Sequence, residues 1–260
     1  MRQISSDEVT EGLRGLFDKN EPASLRCFAV LEGNAAGHIL TDNPASPSWG
    51  IVQETFERSI YLGGKLDAAL LSEIIGTLRR EGDVLVGLRN DDARWGLLPP
   101  EPDYQGTVLE FFNRPLGEGL DAYLKAAPPG CELRRIDREL FERCAERDIT
   151  LAIYGSVEEA LEKGFGLCLM RGETILCDAF AGPAALGMIE LGVTTQERYR
   201  ERGYATITCA HLVRWCEQLG YATYWNCAKH NKASAAVARK LGYRIEKEYR
   251  LWAWYQVGDY

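Results

Sequence analysis

The 260-residue sequence predicts an α/β fold, a mixed central sheet flanked by helices, built in two parts. Three observations lead there. Short apolar segments of strand length recur on both sides of the midpoint. Between them lie stretches whose apolar residues return every three or four positions, the period of a helix with one buried face. The segment KAAPPGCEL, 125–133, then breaks the composition with two prolines and a glycine. It sets the expected parts at 1–128 and 132–260.

The first part opens on a helix over 7–17. Strands are expected in CFAVLEG, which runs to a Gly-Asn turn, and then in GHILTDNP, WGIVQETF and SIYLGG. In LDAALLSEIIGTLRREG, Leu66, Leu70, Leu71, Ile74, Ile75 and Leu78 repeat at helical spacing, and Gly82 closes the helix. DVLVGLR and GTVLEFFNR return to strand, and a short helical segment over 120–124 precedes the break. The second part begins with a charged amphipathic helix over 136–147. A hairpin follows, GFGLCLMRG and ETILCDAFAG, turning at Arg171 and Gly172, and then the strand LGMIELGVTT. Apolar positions at Cys209, Leu212, Val213, Cys216 and Leu219 describe a helix over 204–219 that Gly220 ends. YATYWNC is a strand, NKASAAVARKLG a helix with Asn231 as N-cap and Gly242 as its stop, and YRIEKEYRLWAWY a long closing strand.

Composition narrows the function. Asp and Glu outnumber Lys and Arg by 38 to 30, for a formal net charge of −8. That argues against a nucleic-acid partner, which calls for a basic footprint. Eight cysteines occur without a CxxC pair, several within apolar runs, and the only histidines are His38, His211 and His230. The pattern argues for reduced thiols and against a zinc site or any other metal. MRQISSDEVTEGL has no apolar core of signal-peptide length, and no stretch reaches the length of a membrane span. A cytoplasmic protein with no membrane partner is expected; the oligomeric state is left open.

The segment RERGYA, 200–205, stands at the mouth of the helix over 204–219. Helix N-termini present unpaired amides with partial positive charge, so an anion is stabilised there. Gly203 removes the side chain that would hold a ligand off the backbone, Ala205 keeps the first turn open, and Arg200 and Arg202 add cations. The segment reads either as a phosphate cradle or as a solvated basic helix start.

The flanking order favours the cradle. VTTQERYRERGYA, a helix ending in LGY, the strand TYWNC, Asn231 and Ser234 in N-x-x-S, and Leu241-Gly242-Tyr243 together resemble the acetyl-CoA-binding half of the GNAT N-acetyltransferase superfamily. Arg200, Gly203 and Ala205 match its Q/R-x-x-G-x-G/A signature. The resemblance covers about residues 132 to 260, and the wording of the strand and of WNCAKHNKASAAVARKLGY looks most like the branch that includes zwittermicin-resistance acetyltransferases. It implies that backbone groups of Gly192, Val193 and Thr194 pair with the pantetheine arm of acetyl-CoA. It implies likewise that Arg200, Glu201, Arg202, Gly203, Tyr204, Ala205 and Thr206 hold the pyrophosphate. Asn231 and Ser234 would lie near the pantetheine or the adenosine end; for Asn231 a plain helix cap explains the residue equally well.

Acetyl transfer to an amine needs a neutral nitrogen. In LGMIELGVTT, Ile189, Leu191 and Val193 share one face, which puts Glu190 on the other beside Gly192. Enzymes resembling this one often carry an acidic residue on that strand, so Glu190 is the candidate base or amine-orienting carboxylate, with a structural ion pair as the alternative. Asp178 and Glu173 stand in reserve. Where many of the superfamily carry a tyrosine seven residues after the asparagine, this sequence has Ala238, leaving Tyr243, Tyr204 or water to protonate the leaving thiolate. The favoured reading is an acetyl-CoA-dependent N-acetyltransferase for a primary amine of a small molecule. The alternatives are a CoA- or amine-binding sensor without catalysis and a protein N-acetyltransferase. The first half, which has no counterpart of the RERGYA loop, is expected to help shape the acceptor site rather than bind CoA.

Overall fold

The computed structural model describes residues 1–112, 114, 119–125 and 128–257. Two compact units emerge. The first comprises Met1–Leu109, Ala228–His230 and the chain from Lys247 on; the second comprises Glu110–Cys227 and Asn231–Glu246. The break at 125–133 therefore lies inside the second unit and does not divide the chain. Its Ala126 and Ala127, like Asn113 of the strand GTVLEFFNR, lie outside the described residues. A proline-rich loop marks where one element stops, whereas hydrogen-bond partners decide which unit a later strand joins.

In the first unit, β1 (Arg2–Ile4) precedes α1 (Glu11–Arg14) and α2 (Ser24–Leu31). The helix expected over 7–17 is interrupted: a single 3-10 turn covers Ser6–Glu8, and Thr10 then starts α1 afresh by accepting the Leu13 amide. CFAVLEG is helix, not strand. Seven of the eight α2 residues are buried, so no polar face reveals the helical period, and a short apolar run buried all round reads equally as a strand. β2 (Gly37–Thr41), β3 (Trp49–Glu54) and β4 (Ser59–Gly64) form an antiparallel meander, and α3 (Ala68–Leu78) crosses to β5 (Val84–Arg89), parallel to β4. β4 and β5 pair at Ser59↔Leu85 and Ile60↔Val86 only. β6 (Tyr104–Phe112) follows. The last strand, β12 (Arg244–Trp254), pairs antiparallel with β5 over Tyr249–Trp254. The core of this unit gathers Ile51, Ile60, Leu71, Ile74, Ile75, Val84, Val86 and Trp254 between α3 and the sheet.

The second unit runs from α4 (Asp121–Leu124) through β7 (Glu132–Arg135), α5 (Arg138–Phe141), α6 (Arg147–Tyr154) and α7 (Val157–Lys163). The helix expected over 136–147 ends at Phe141, and α6 and α7 were not anticipated. β8 (Phe165–Arg171), β9 (Thr174–Ala181) and β10 (Met188–Thr195) form a second antiparallel meander, and α8 (Tyr204–Gln218) crosses to β11 (Ala222–Ala228), parallel to β10. α9 (Lys232–Lys240) then leads to β12. Alternation along β8, with a bulge in β9 where Leu169 and Met170 face Cys177 and Ile175, separates two cores. Phe180, Cys168 and Met170 pack with Phe141, Leu140 and Tyr154 on the side of α5 and α6. Leu169, Leu176, Cys177 and Val193 pack with Tyr204 on the side of α8. Each unit thus repeats one arrangement: a three-stranded meander, a crossover helix, and a parallel strand joined to the meander over only its first residues.

Candidate active site

β10 pairs with β11 at Met188↔Ala222, Ile189↔Thr223 and Glu190↔Tyr224, where the ladder ends. From Leu191 to Thr195 it is held by β9 alone. Two parallel strands thus part beyond Glu190, and one backbone edge of Gly192, Val193 and Thr194 opens onto the gap. Val193 turns its side chain to the α8 side. Glu190, Gly192 and Thr194 occupy the opposite face, as alternation requires.

β10 leads through a 3-10 turn, Glu197–Tyr199, to the RERGYA loop. Gly203 has φ +80, a region that glycine enters without strain, and nothing lies within 4 Å of where a Cβ would stand. Glu201 also has positive φ, 63, in an exposed loop. Gly203 is the N-cap of α8 and no side chain caps the helix; its first intrahelical bond runs from the Ile207 amide to the Gly203 carbonyl at 3.1 Å. The amides of Tyr204, Ala205 and Thr206 therefore precede that bond. Arg200 donates from Nε to the Thr195 carbonyl at 3.4 Å, and the Arg198 and Arg202 guanidinium groups lie 4.8 and 6.0 Å from the Tyr199 ring centre. A fifteen-residue helix with an open amide end and arginines at its mouth fits a diphosphate. Among the described residues no cluster of His, Cys, Asp and Glu could hold a metal ion.

Glu190, half-buried, has Tyr224 at its side in the ladder. The Tyr224 hydroxyl donates to buried Glu110 and accepts from Asn226 Nδ2 at 3.0 Å. The reserves fare differently. Asp178 is fully buried and accepts the Ala145 and Glu146 amides at 3.2 and 2.9 Å; burial pushes its carboxyl above the usual range, against those two amides. Glu173 lies exposed at the β8–β9 turn, 3.9 Å from Arg143. Tyr243 is buried and donates to Thr223, and burial raises its phenol; Tyr204 accepts from Arg171 at 3.2 Å. Ala238 is fully buried.

Asn231 accepts the Ser234 amide at 3.1 Å and caps α9, while Ser234 Oγ accepts from Trp225 Nε1 at 3.0 Å. The structure thus brings Glu190, Gly192, Val193 and Thr194 onto one parted strand and Arg200 to Thr206 onto the loop and helix that continue it. Asn231 and Ser234 lie at the start of the next helix, which touches α8.

Two residues were missed. Tyr224 gave a signal, since it alternates with Asn226 along YATYWNC. Glu146 gave none. It is 5% exposed, its carboxylate accepts from the Thr194 hydroxyl, and its Oε2 is 2.8 Å from where a Gly192 Cβ would be. Burial pushes its carboxyl up, the Thr194 bond opposes this, and the Asp178 charge adds to the rise. All of these residues belong to the second unit.

The sequence profile that describes GNAT acetyltransferases matches residues 15–252. Over 127 residues the chain is 26% identical to "Uncharacterized N-acetyltransferase YdfB" of Bacillus subtilis (strain 168), a stretch that is 48% of this chain and 49% of that protein. The chain thus spans about half the length of that curated relative. A GCN5-related N-acetyltransferase-like protein from Streptococcus suis 89/1591 shares the fold at 23% identity and a TM-score of 0.71, covering 93% of this chain and 96% of that one. A tandem GNAT protein from the clavulanic acid biosynthesis pathway shares it at 10% identity and a TM-score of 0.64, covering 98% and 94%. Among the described residues no helix is long and apolar enough to cross a membrane. With a family match extending through both units and the parted strands leading to an open helix end, the chain belongs to the GNAT acetyltransferase family.

Proposed function

We propose that the protein moves the acetyl group of acetyl-CoA to a primary amine of a small molecule, and that it falls in the two-part branch that includes zwittermicin-resistance acetyltransferases. The observation carrying the reading is the parting of β10 from β11 directly upstream of the uncapped N-terminus of α8. The open edge of Gly192, Val193 and Thr194 pairs with the pantetheine arm as a further strand would. Amides from Arg200 to Thr206 take the pyrophosphate, with Arg200 and Arg202 beside them. Asn231 and Ser234 lie toward the pantetheine or the adenosine end. Acetyl-CoA supplies an acyl group already activated as a thioester. Glu190 orients the ammonium and accepts its proton, directly or through one water; the neutral nitrogen then forms the C–N bond as the C–S bond breaks, and the second proton that this nitrogen sheds passes through water to the thiolate.

A second reading, a CoA- or amine-binding sensor without turnover, draws on one observation: Ala238 offers no hydroxyl, and that of Tyr243 is turned to Thr223. Thiol release from acetyl-CoA across a panel of small amines and peptides separates the readings. Turnover with small amines supports the first, turnover with peptides alone replaces the acceptor class, and binding without turnover supports the sensor.

The cofactor site is tested by a matched pair. Gly203→Asn and Gly203→Asp place similar side chains at the same left-handed position, but only the second adds a negative charge. Calorimetry is expected to show Gly203→Asp binding acetyl-CoA at least about tenfold more weakly than Gly203→Asn, or roughly 1.4 kcal/mol. Equal affinities in folded proteins would remove the pyrophosphate from this loop.

A further inference from the structure

Among the buried carboxyl groups that the mechanism leaves without work, Asp178 and Glu146 lie beside the parted end of β10. Asp178 and Glu146 are 0% and 5% exposed, and neither makes an ion pair among the described residues. Removing a carboxylate from water costs free energy that hydrogen bonds must offset. Their hydrogen bonds join three elements. Asp178, on β9 opposite Thr194 on β10, accepts the Ala145 and Glu146 amides and fixes the chain just before α6. Glu146, fixed there, takes the Thr194 hydroxyl. Its second oxygen fills the space that Gly192 leaves, since a Cβ at that position would lie 2.8 Å from Oε2.

The joint falls on the part of β10 that needs one. Beyond Glu190 this strand has lost β11 and pairs on one edge only, with β9. A strand end held on one edge twists and frays more readily than one held on both. Yet these are the residues whose free backbone groups must keep a fixed direction if an extended ligand is to pair with them.

We propose that Glu146 is a positioning residue, its carboxylate locking the parted end of β10 from the α6 side through Thr194 and the space over Gly192. Asp178 sets Glu146, Glu146 sets Thr194, and the open edge of residues 192–194 is presented already formed. Gly192 is a glycine because the Glu146 carboxylate takes the place of its side chain. The proposal rests on the reading that acetyl-CoA lies along this edge.

The test uses full-length protein in five forms: wild type, Glu146→Ala, Glu146→Gln, Thr194→Val, and Glu146→Ala with Thr194→Val. Acetyl-CoA affinity is read by calorimetry, and amide hydrogen exchange of residues 192–195 is read without ligand. Glu146→Ala and Thr194→Val are each expected to weaken acetyl-CoA by about tenfold, the scale of one lost hydrogen bond, and to speed exchange at these amides. The double variant should be no weaker than the worse single one, because both changes remove the same bond. Glu146→Gln keeps an oxygen for the Thr194 hydroxyl and should retain most of the affinity and the slow exchange. Losses that multiply to about a hundredfold, a Gln variant as weak as the Ala variant, or unchanged exchange in Thr194→Val would overturn the proposal. If Glu146→Ala does not fold, Thr194→Val and Glu146→Gln still decide it. Should wild type fail to bind acetyl-CoA, the reading of the cofactor site falls, and the exchange measurements show separately whether the lock exists.

Discussion

Glu190 is the last residue of β10 still paired to β11, and it shares a face with Gly192 and Thr194. An ammonium entering there meets a carboxylate half-open to water, with the Tyr224 phenol alongside. Glu190→Gln keeps the size and the hydrogen bonding and removes charge and basicity. Positioned base catalysis is worth about 10²–10⁴-fold, so kcat/KM should fall by that range with acetyl-CoA affinity nearly intact. Raising the pH toward the amine's own pKa supplies neutral nucleophile and should shrink the deficit. A residue that only holds the fold predicts a lower Tm and a deficit that pH does not relieve, and a wild-type rate at neutral pH would pass the role to another group. At this scale the sequence was informative where the geometry is local. Alternation along LGMIELGVTT placed Glu190 on the face opposite Ile189, Leu191 and Val193. It was silent on Glu146, which meets Thr194 from 48 residues away. Nothing in the run ERCAERD distinguishes a buried glutamate from the solvated ones around it.

Among the elements, helix ends were the most legible feature. Asn231 was expected to cap a helix, and its side chain accepts the Ser234 amide at the start of α9. Asn231→Ala should cost about 1 kcal/mol in chemical denaturation, and Asn231→Asp, also a good cap, should recover it. A recovered fold that has nevertheless lost acetyl-CoA affinity would show that the Asn231 amide does more than cap. Helices whose apolar residues leave a polar face, such as α3 and α8, were legible from spacing. α2 was not, because burial on every side erases the period. The amphipathic charge pattern over 136–147 predicts one helix running through Cys144 and Ala145. The chain breaks there because Asp178, far along the sequence, captures the Ala145 and Glu146 amides. Tertiary hydrogen bonds ended that helix, and no local signal announces them.

Over the whole molecule, one arrangement occurs twice: meander, crossover helix, and a parallel strand joined only at its start. The composition break at 125–133 predicts parts at 1–128 and 132–260, whereas the first compact unit runs to Leu109 and takes in β12 from Lys247, where that strand returns to pair with β5. The two crossover helices begin differently. At the start of α3 the Asp67 carboxylate accepts the Leu70 amide at 2.9 Å, so this helix supplies its own anion. At the start of α8 Gly203 supplies none. The difference can be counted. A chain with two comparable helix mouths, one already filled by its own carboxylate, should titrate as a single-equivalent receptor. Acetyl-CoA added to the full chain is expected to saturate at one molecule per polypeptide, with one enthalpy and no second inflection. A second equivalent would mean that Asp67 gives way to a phosphate, and that the duplicated fold also duplicates the capacity.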